Sequence, residues 1–252
     1  AYPIYASAFY ALSVLPEDFH EWEYLANSRT PEAYNKIVKG NADIIFVAQP
    51  SGGQKKRAEE SGVTLIYTPF AREAFVFIVN VDNPVNSLTE QQVRDIFSGA
   101  ITNWRTVGGN DQEIQTWQRP EDSGSQTVMQ SQVMKNVRMI SPQETEVASM
   151  MEGMIKVVAE YRNTNNAIGY TFRYYATQMN ADKNIKLLAI NGIAPTAENI
   201  RNGKYPYIVD AFMVTRENMT SETQKLVEWF LTPQGQSLVE DVGYVPMYKT
   251  LH

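Results

Sequence analysis

Short apolar runs alternate with helix-like segments along this chain, and this alternation constrains the fold more than any other feature. The run ADIIFVA, residues 42–48, is continuous and apolar, as is typical of a strand buried on both faces. The preceding segment RTPEAYNKIVKG has the pattern of a helix that Thr30 caps and Gly40 ends. A polar helix and the strand VTLIYTPF follow. Strands that alternate with helices predict an α/β protein.

Two further β-prone runs are unusually long, EAFVFIVN at 73–80 and YPYIVDAFMVT at 205–215. The chain of 252 residues is long enough for one large domain or for two lobes with separate cores. It contains no Gly/Ser-rich tether, so two lobes would have to be joined by ordinary strands.

Composition excludes several classes of function. The apolar fraction of 43% with 20% charged residues is typical of a soluble globular protein. A net charge of −6 argues against nucleic acid or an anionic membrane surface as the main partner. The chain has no cysteine, which excludes disulfides, thiolate chemistry and cysteine metal sites, and we expect neither a cofactor nor a metal. It starts at Ala1 without a Met, which suggests a processed or trimmed N-terminus.

The segment QRPEDSGSQTVMQ, residues 118–130, carries the richest chemistry, and one interpretation makes Ser123 a hydrolase nucleophile. A serine nucleophile needs an imidazole within hydrogen-bond reach. The chain has only His20, in an acidic stretch, and His252, its last residue. Neither lies in a setting suited to a catalytic triad, so the nucleophile interpretation is disfavoured.

A second interpretation makes the same segment an anion cradle. A helix is expected to begin near Ser125, and its first N–H groups would face a ligand with the positive end of the helix dipole. Gly124 permits close approach of the backbone, and Ser123 and Ser125 offer hydroxyl donors. Arg119 supplies a planar fork for phosphate or carboxylate. An ordinary capped helix beside an arginine would show the same residues, so spacing alone leaves both possibilities open.

Longer strings of this sequence resemble a known family. DNPVNSLTEQQVRDIFSGAITNWRTVGGND at 82–111, QRPEDSGSQT at 118–127, NAIGYTFRYY at 166–175 and LTPQGQSLVEDVGYVPM at 231–247 are similar to the phosphate-binding proteins of ABC phosphate importers. These belong to the periplasmic binding-protein class. The resemblance implies an α/β Venus-flytrap fold with crossing hinge strands. Residues 1–80 with 205–252 would form lobe one, and residues 81–204 would form lobe two.

The resemblance also assigns roles within the 118–130 segment. In the family's Arg-x-x-x-Ser-Gly-(Ser/Thr) loop the anion is bound by positions that match Arg119, Ser123, Gly124 and Ser125. Glu121 matches a carboxylate that orients the arginine. Ser123 would therefore be a ligand and not a nucleophile, and the protein would not be an enzyme.

The sequence departs from the family pattern at two places. Many members carry an aspartate after the strand that resembles ADIIFVA, where it accepts the proton of hydrogen phosphate, and Gln49 stands nearest to that position here. The first anion-binding loop of the family has no counterpart before AYPIYASAFYAL. Arg72 is a possible substitute, with a surface ion pair as its alternative, and the helix start at Thr30 is another.

The resemblance implies an extracytoplasmic protein, periplasmic or a cell-surface lipoprotein after removal of a signal peptide. Such a protein would be a monomer that binds inorganic phosphate, or a similar tetrahedral oxyanion, and delivers it to a membrane ABC permease. The alternative is a scaffold, adhesion or sensor protein of the same fold that has lost phosphate binding.

Overall fold

The structure is a computed structural model and describes residues 28–135, 137–142, 151–160, 165–179 and 181–251. Its strands are β1 (Ile44–Val47), β2 (Leu65–Asn80), β3 (Ser87–Leu88), β4 (Gln115–Thr116), β5 (Ala167–Phe172), β6 (Ile185–Leu187), β7 (Ala189–Ile190), β8 (Ile208–Arg216) and β9 (Val245–Pro246). Its α-helices are α1 (Thr30–Lys39), α2 (Gly52–Glu60), α3 (Glu90–Ser98), α4 (Gly124–Val128), α5 (Met151–Glu160), α6 (Ala197–Arg201), α7 (Ser221–Leu231) and α8 (Pro233–Asp241). This mixture confirms the predicted α/β class.

The chain divides into two compact units, and each division falls inside a strand. Unit 1 comprises Ala1–Arg72 and Asp210–His252, and unit 2 comprises Glu73–Val209. The chain thus passes between the units within β2 and within β8. The sequence-based boundaries, residues 1–80 with 205–252 and residues 81–204, lie a few residues away and stay a prediction.

Unit 1 buries both faces of a β-sheet. β1 and β8 pair antiparallel with Ile44 opposite Thr215, and β9 pairs with the middle of β2, at Ala71 and Arg72. Alternation along the strands sends Ile45 and Val214 into a core beneath α1, while Met213 joins a second core that includes Phe230 of α7. Helices therefore cover the two faces, as the continuous apolar run ADIIFVA predicted.

Unit 2 is built around the second half of β2. Its residues pair antiparallel with β5 and β6, β4 runs parallel to β5, and β3 pairs with β7. The rings of Phe75, Phe77 and Phe97 pack around Tyr170, with centroids 5.4, 6.5 and 5.6 Å from it. This aromatic core fixes the position of β5, and the 119–125 loop is bonded to the Tyr170 hydroxyl at its surface.

Local expectations were partly right. Gly40 ends its helix in the left-handed conformation, at φ 75°, as predicted, and Gly99 ends α3 in the same way at φ 83°. VTLIYTPF and EAFVFIVN, expected as two strands, form one strand of 16 residues, because Ala71 and Arg72 between them pair with Pro246 and Val245 of β9 and continue the extended chain. Thr30 is not a cap: it is the first helical residue, and Arg29 precedes it without a side-chain cap bond. In the part of the chain that the structure describes, no helix is long and apolar enough to cross a bilayer.

Candidate functional site

The segment before α4 is shaped by a tight turn. The N–H of Ser123 donates to the carbonyl of Pro120 at 3.2 Å. Asp122 has φ 62°, the left-handed conformation that the third position of a type II turn requires and that Asp tolerates better than most residues. The turn brings Arg119 back towards the start of the helix.

Ser123 caps the helix α4. Its hydroxyl oxygen accepts from the N–H of Gln126 at 3.3 Å, and its carbonyl accepts from the N–H of Thr127 at 2.9 Å. Gly124 is the first helical residue, one position before Ser125, so the expected helix start near Ser125 is confirmed. A capping oxygen retains its proton, and it can still donate to a ligand.

The first turn of α4 holds donors with no acceptor among the described residues. The N–H groups of Gly124 and Ser125 precede the first intrahelical hydrogen bond, as in every helix. The Ser125 hydroxyl is buried, in a residue that is 2% exposed, and it has no hydrogen-bond partner in the described part of the chain. Buried hydroxyls are usually bonded, so this group is poised to bind an acceptor. The hydroxyls of Thr171 and Tyr207 share this property, but neither belongs to the 119–125 loop.

Arg119 is held through its backbone by two residues that sequence reasoning did not assign to the site. Its N–H donates to the Tyr170 hydroxyl at 3.0 Å and to Gln126 Oε1 at 3.3 Å. The Tyr170 hydroxyl in turn donates to Gln126 Oε1. Burial raises the pKa of Tyr170 and keeps it a neutral hydroxyl that can donate and accept at once. The Nε and Nη1 atoms of Arg119 are themselves buried.

Glu121 lies on the exposed side of the turn. Its Oε2 accepts from Gln130 Nε2 at 3.1 Å. Its expected role in orienting the arginine stays a prediction.

The predicted ligand residues divide between the two units. One loop of unit 2 contains five of them: Arg119, Glu121, Ser123, Gly124 and Ser125. Thr30, Gln49 and Arg72 belong to unit 1, where Gln49 follows β1 and Arg72 lies in β2 opposite Val245. Arg72 also opposes the rise that burial causes in the pKa of Asp210. The binding roles of these three residues stay predictions.

A cavity of about 610 Å³ lies beside the loop in unit 2. Its lining includes Arg119, Glu121 and Gln126, together with Met134, Lys135 and residues 137–142. Within the described ranges no three His, Asp or Glu side chains are grouped so that they could hold a metal ion. The donors of this site are hydroxyl, amide and guanidinium groups, all of which are chemically suited to an anion.

Residues 20–234 match the family model of the PBP superfamily domain, most of the chain's length. The chain belongs to the PBP superfamily.

Within the PBP superfamily, the chain is similar to curated proteins that bind phosphate. It is 27% identical to the phosphate-binding protein PstS of Bacillus subtilis, over 82% of this chain but 64% of that protein, less than two thirds of its length. It is 26% identical to the phosphate-binding protein PstS of Borreliella burgdorferi, over 84% of this chain and 74% of that one.

A solved PBP-superfamily structure has the same fold. A putative phosphate ABC transporter substrate-binding protein with bound phosphate, from Clostridium perfringens, superposes with a TM-score of 0.70 at 24% identity. The superposition covers 86% of this chain and 84% of that one. These matches confirm the predicted fold class and the resemblance to phosphate-binding proteins.

Proposed function

We propose that this chain captures inorganic phosphate, or a similar tetrahedral oxyanion, and delivers it to a membrane ABC importer. The observation that carries the proposal is the 119–125 loop. It combines a guanidinium, two N–H groups at a helix start and the buried hydroxyl of Ser125, which has no partner among the described residues. Neutral donors with one cation suit a desolvated oxyanion, since they share its charge without needing full neutralisation.

The proposal includes an extracytoplasmic location, a monomeric state and the absence of catalysis. The names of the PstS relatives support phosphate binding in place of an enzymatic role. The hydrogen bond of Ser123 supports the absence of catalysis as well, because capping the helix accounts for the position of the Ser123 hydroxyl. The acidic net charge is compatible with anion binding, since charges farther away than a Debye length of about 8 Å are screened at physiological ionic strength.

The test is calorimetric titration of phosphate into protein that has been unfolded, stripped of ligand and refolded. Sulfate serves as the competing anion, because Gln49 is nearest to the position where the family resemblance leads us to expect an aspartate that rejects sulfate. Two variants remove single donors, Arg119→Ala and Ser125→Ala. The matched control is Arg105→Ala, since Arg105 is an exposed arginine of the same unit that pairs with Asp111 at 3.0 Å.

We expect phosphate to bind, the Arg119 variant to lose at least about a hundredfold in affinity and the Ser125 variant about tenfold. The Arg105 variant should bind like the unmodified protein. If the unmodified protein binds neither anion, phosphate capture is wrong and a scaffold, adhesion or sensor role is the better interpretation. Equal losses in all three variants would show that the loop is not the binding site.

A further inference from the structure

Gln126 joins the two ends of the 119–125 loop. It is the third residue of α4, and its N–H donates to the hydroxyl oxygen of Ser123 at 3.3 Å. Its side chain turns back along the chain, so that Oε1 accepts from the N–H of Arg119 at 3.3 Å. One residue therefore bonds both to the start of the helix and to the residue that supplies the guanidinium.

The same amide oxygen also links the loop to the core of unit 2. Gln126 Oε1 accepts from the Tyr170 hydroxyl, so the two lone pairs of this carbonyl oxygen each have a donor. The amide nitrogen lies 3.9 Å from the sulfur of Met139, to which it donates. Gln126 is 4% exposed, so these bonds lie away from bulk water, where hydrogen bonds are electrostatically stronger.

These bonds bear on anion binding through the shape of the loop. The Gly124 and Ser125 N–H groups and the Ser125 hydroxyl lie between the two points at which Gln126 is bonded, Arg119 and the helix. A loop that is already fixed loses less conformational entropy when its ligand binds, and this raises the affinity. Gln126 can therefore influence affinity without touching the ligand.

The absence of charge on Gln126 matters as well. An amide oxygen accepts two hydrogen bonds and has no net charge, whereas a carboxylate would accept the same bonds and add a negative charge. That charge would be buried in the residue directly after Ser125. Repulsion of a bound anion would be strong there, because the low dielectric of the interior screens it poorly.

We propose that Gln126 is a positioning residue for oxyanion binding. Its amide oxygen fixes Arg119 relative to the first turn of α4, and its neutrality allows it to do so without repelling the anion. The proposal rests on the proposed function, because it takes the 119–125 loop as the anion site.

The experiment is calorimetric titration of phosphate into ligand-stripped protein with two substitutions at this position. Gln126→Leu removes the acceptor oxygen and keeps a side chain of similar size. Gln126→Glu keeps an acceptor oxygen, and its charge depends on the pH. The matched control is Gln118→Leu: Gln118 is also 4% exposed, but its amide donates to the carbonyl of Ile140 at 2.9 Å and not to the loop. Thermal unfolding checks that each variant is folded.

We expect Gln126→Leu to bind phosphate about tenfold more weakly than the unmodified protein, and Gln118→Leu to bind within about twofold of it. A structural role alone would not produce this difference between two glutamines of equal burial.

Gln126→Glu should show a pH-dependent loss of affinity. A protonated carboxyl presents a carbonyl oxygen and a hydroxyl in place of the amide oxygen and nitrogen, and burial favours this neutral form. At pH 5 the variant should therefore bind phosphate within about threefold of the unmodified protein. At pH 8 the ionised carboxylate should weaken its binding by at least about tenfold more. The ratio of the two affinities is compared at each pH, since the ionisation of phosphate affects both proteins.

The possible outcomes separate this inference from the proposed function. If phosphate binds but Gln126→Leu has no effect, or loses no more affinity than Gln118→Leu, Gln126 does not position the loop. A ratio for Gln126→Glu that is the same at pH 5 and pH 8 would show that its neutrality is not needed. Phosphate capture stands in these cases. If the unmodified protein binds neither phosphate nor sulfate, both proposals are wrong.

Discussion

Glu73 makes the stability of this protein depend on pH in a direction opposite to that of most carboxylates. It is the first residue of unit 2 and is 4% exposed. Burial raises its pKa from the ordinary 4.5 to about 7, although Arg173 and two backbone N–H groups oppose the rise. Those N–H groups belong to Ala74 and Tyr174, at 2.7 and 2.9 Å, and Arg173 Nε lies 3.6 Å from Oε1.

The size of the effect follows from this pKa. Below pH 4.5 Glu73 is protonated in the folded and the unfolded chain, and its full contribution to stability is present. As the pH rises towards 7, Glu73 ionises in the unfolded chain before it ionises in the folded chain. The contribution of Glu73 to stability is therefore lost. A difference of about 2.5 pH units at about 1.36 kcal/mol each gives a loss of about 3 kcal/mol that is complete above pH 7.

The assay is urea unfolding of the unmodified protein and of Glu73→Gln between pH 4 and pH 8. The variant cannot ionise at this position, so the difference between the two unfolding free energies should shift by about 3 kcal/mol in favour of the variant as the pH rises. A constant offset is expected as well, because the glutamine amide keeps one acceptor oxygen and so loses one of the two backbone hydrogen bonds that the Glu73 carboxyl accepts. The control is Glu113→Gln, at an exposed position. Parallel curves for Glu73→Gln and the unmodified protein would refute the reasoning.

Three further predictions concern packing and hydrogen bonding. Gln236 is fully buried and its amide makes four hydrogen bonds to backbone groups, so Gln236→Ala should lower the free energy of unfolding by about 3 kcal/mol or more, measured by urea unfolding. Gly235→Ala would place a Cβ 2.3 Å from the carbonyl oxygen of Trp229 and should cost about 2–3 kcal/mol, while Gly52→Ala, with open space around it, should be neutral or stabilising in the same assay. Tyr170→Phe removes the hydroxyl that holds the 119–125 loop. Calorimetry should show about a fivefold loss of phosphate affinity, with little change in the ratio of the affinities for phosphate and sulfate.

Local features of this protein could be predicted from the sequence because their causes lie within a few residues. Thr89 caps α3 through the N–H of Gln92, three positions later, and Gly99 ends that helix. The run at 42–48 predicted a strand that is covered on both faces, because apolar and polar residues do not alternate within it. Residue types and spacing in the loop that carries Arg119 and Ser125 allowed either an anion site or an ordinary capped helix. The resemblance to phosphate-binding proteins favoured the anion site, which stays a prediction.

The sequence did not predict how that loop is held. Arg119 and Tyr170 are 51 positions apart, and the hydroxyl of one meets the backbone of the other only because β5 pairs with β2 and packs against the Phe75, Phe77 and Phe97 rings. Gln126 is one of several polar residues in its helix. No sequence pattern shows that its side-chain amide bonds to the backbone of Arg119 and is not exposed to solvent.

The sequence by itself therefore determined the α/β class, several helix ends and the residue types of the 119–125 loop, because short-range hydrogen bonds and local burial patterns set these features. Tertiary structure alone decided that VTLIYTPF and EAFVFIVN continue as one strand, that Glu73 is buried beside Arg173, and that a cavity adjoins the loop. These features depend on contacts between distant segments, whose pairing minimises the free energy of the whole chain and leaves no signature within a short stretch of residues.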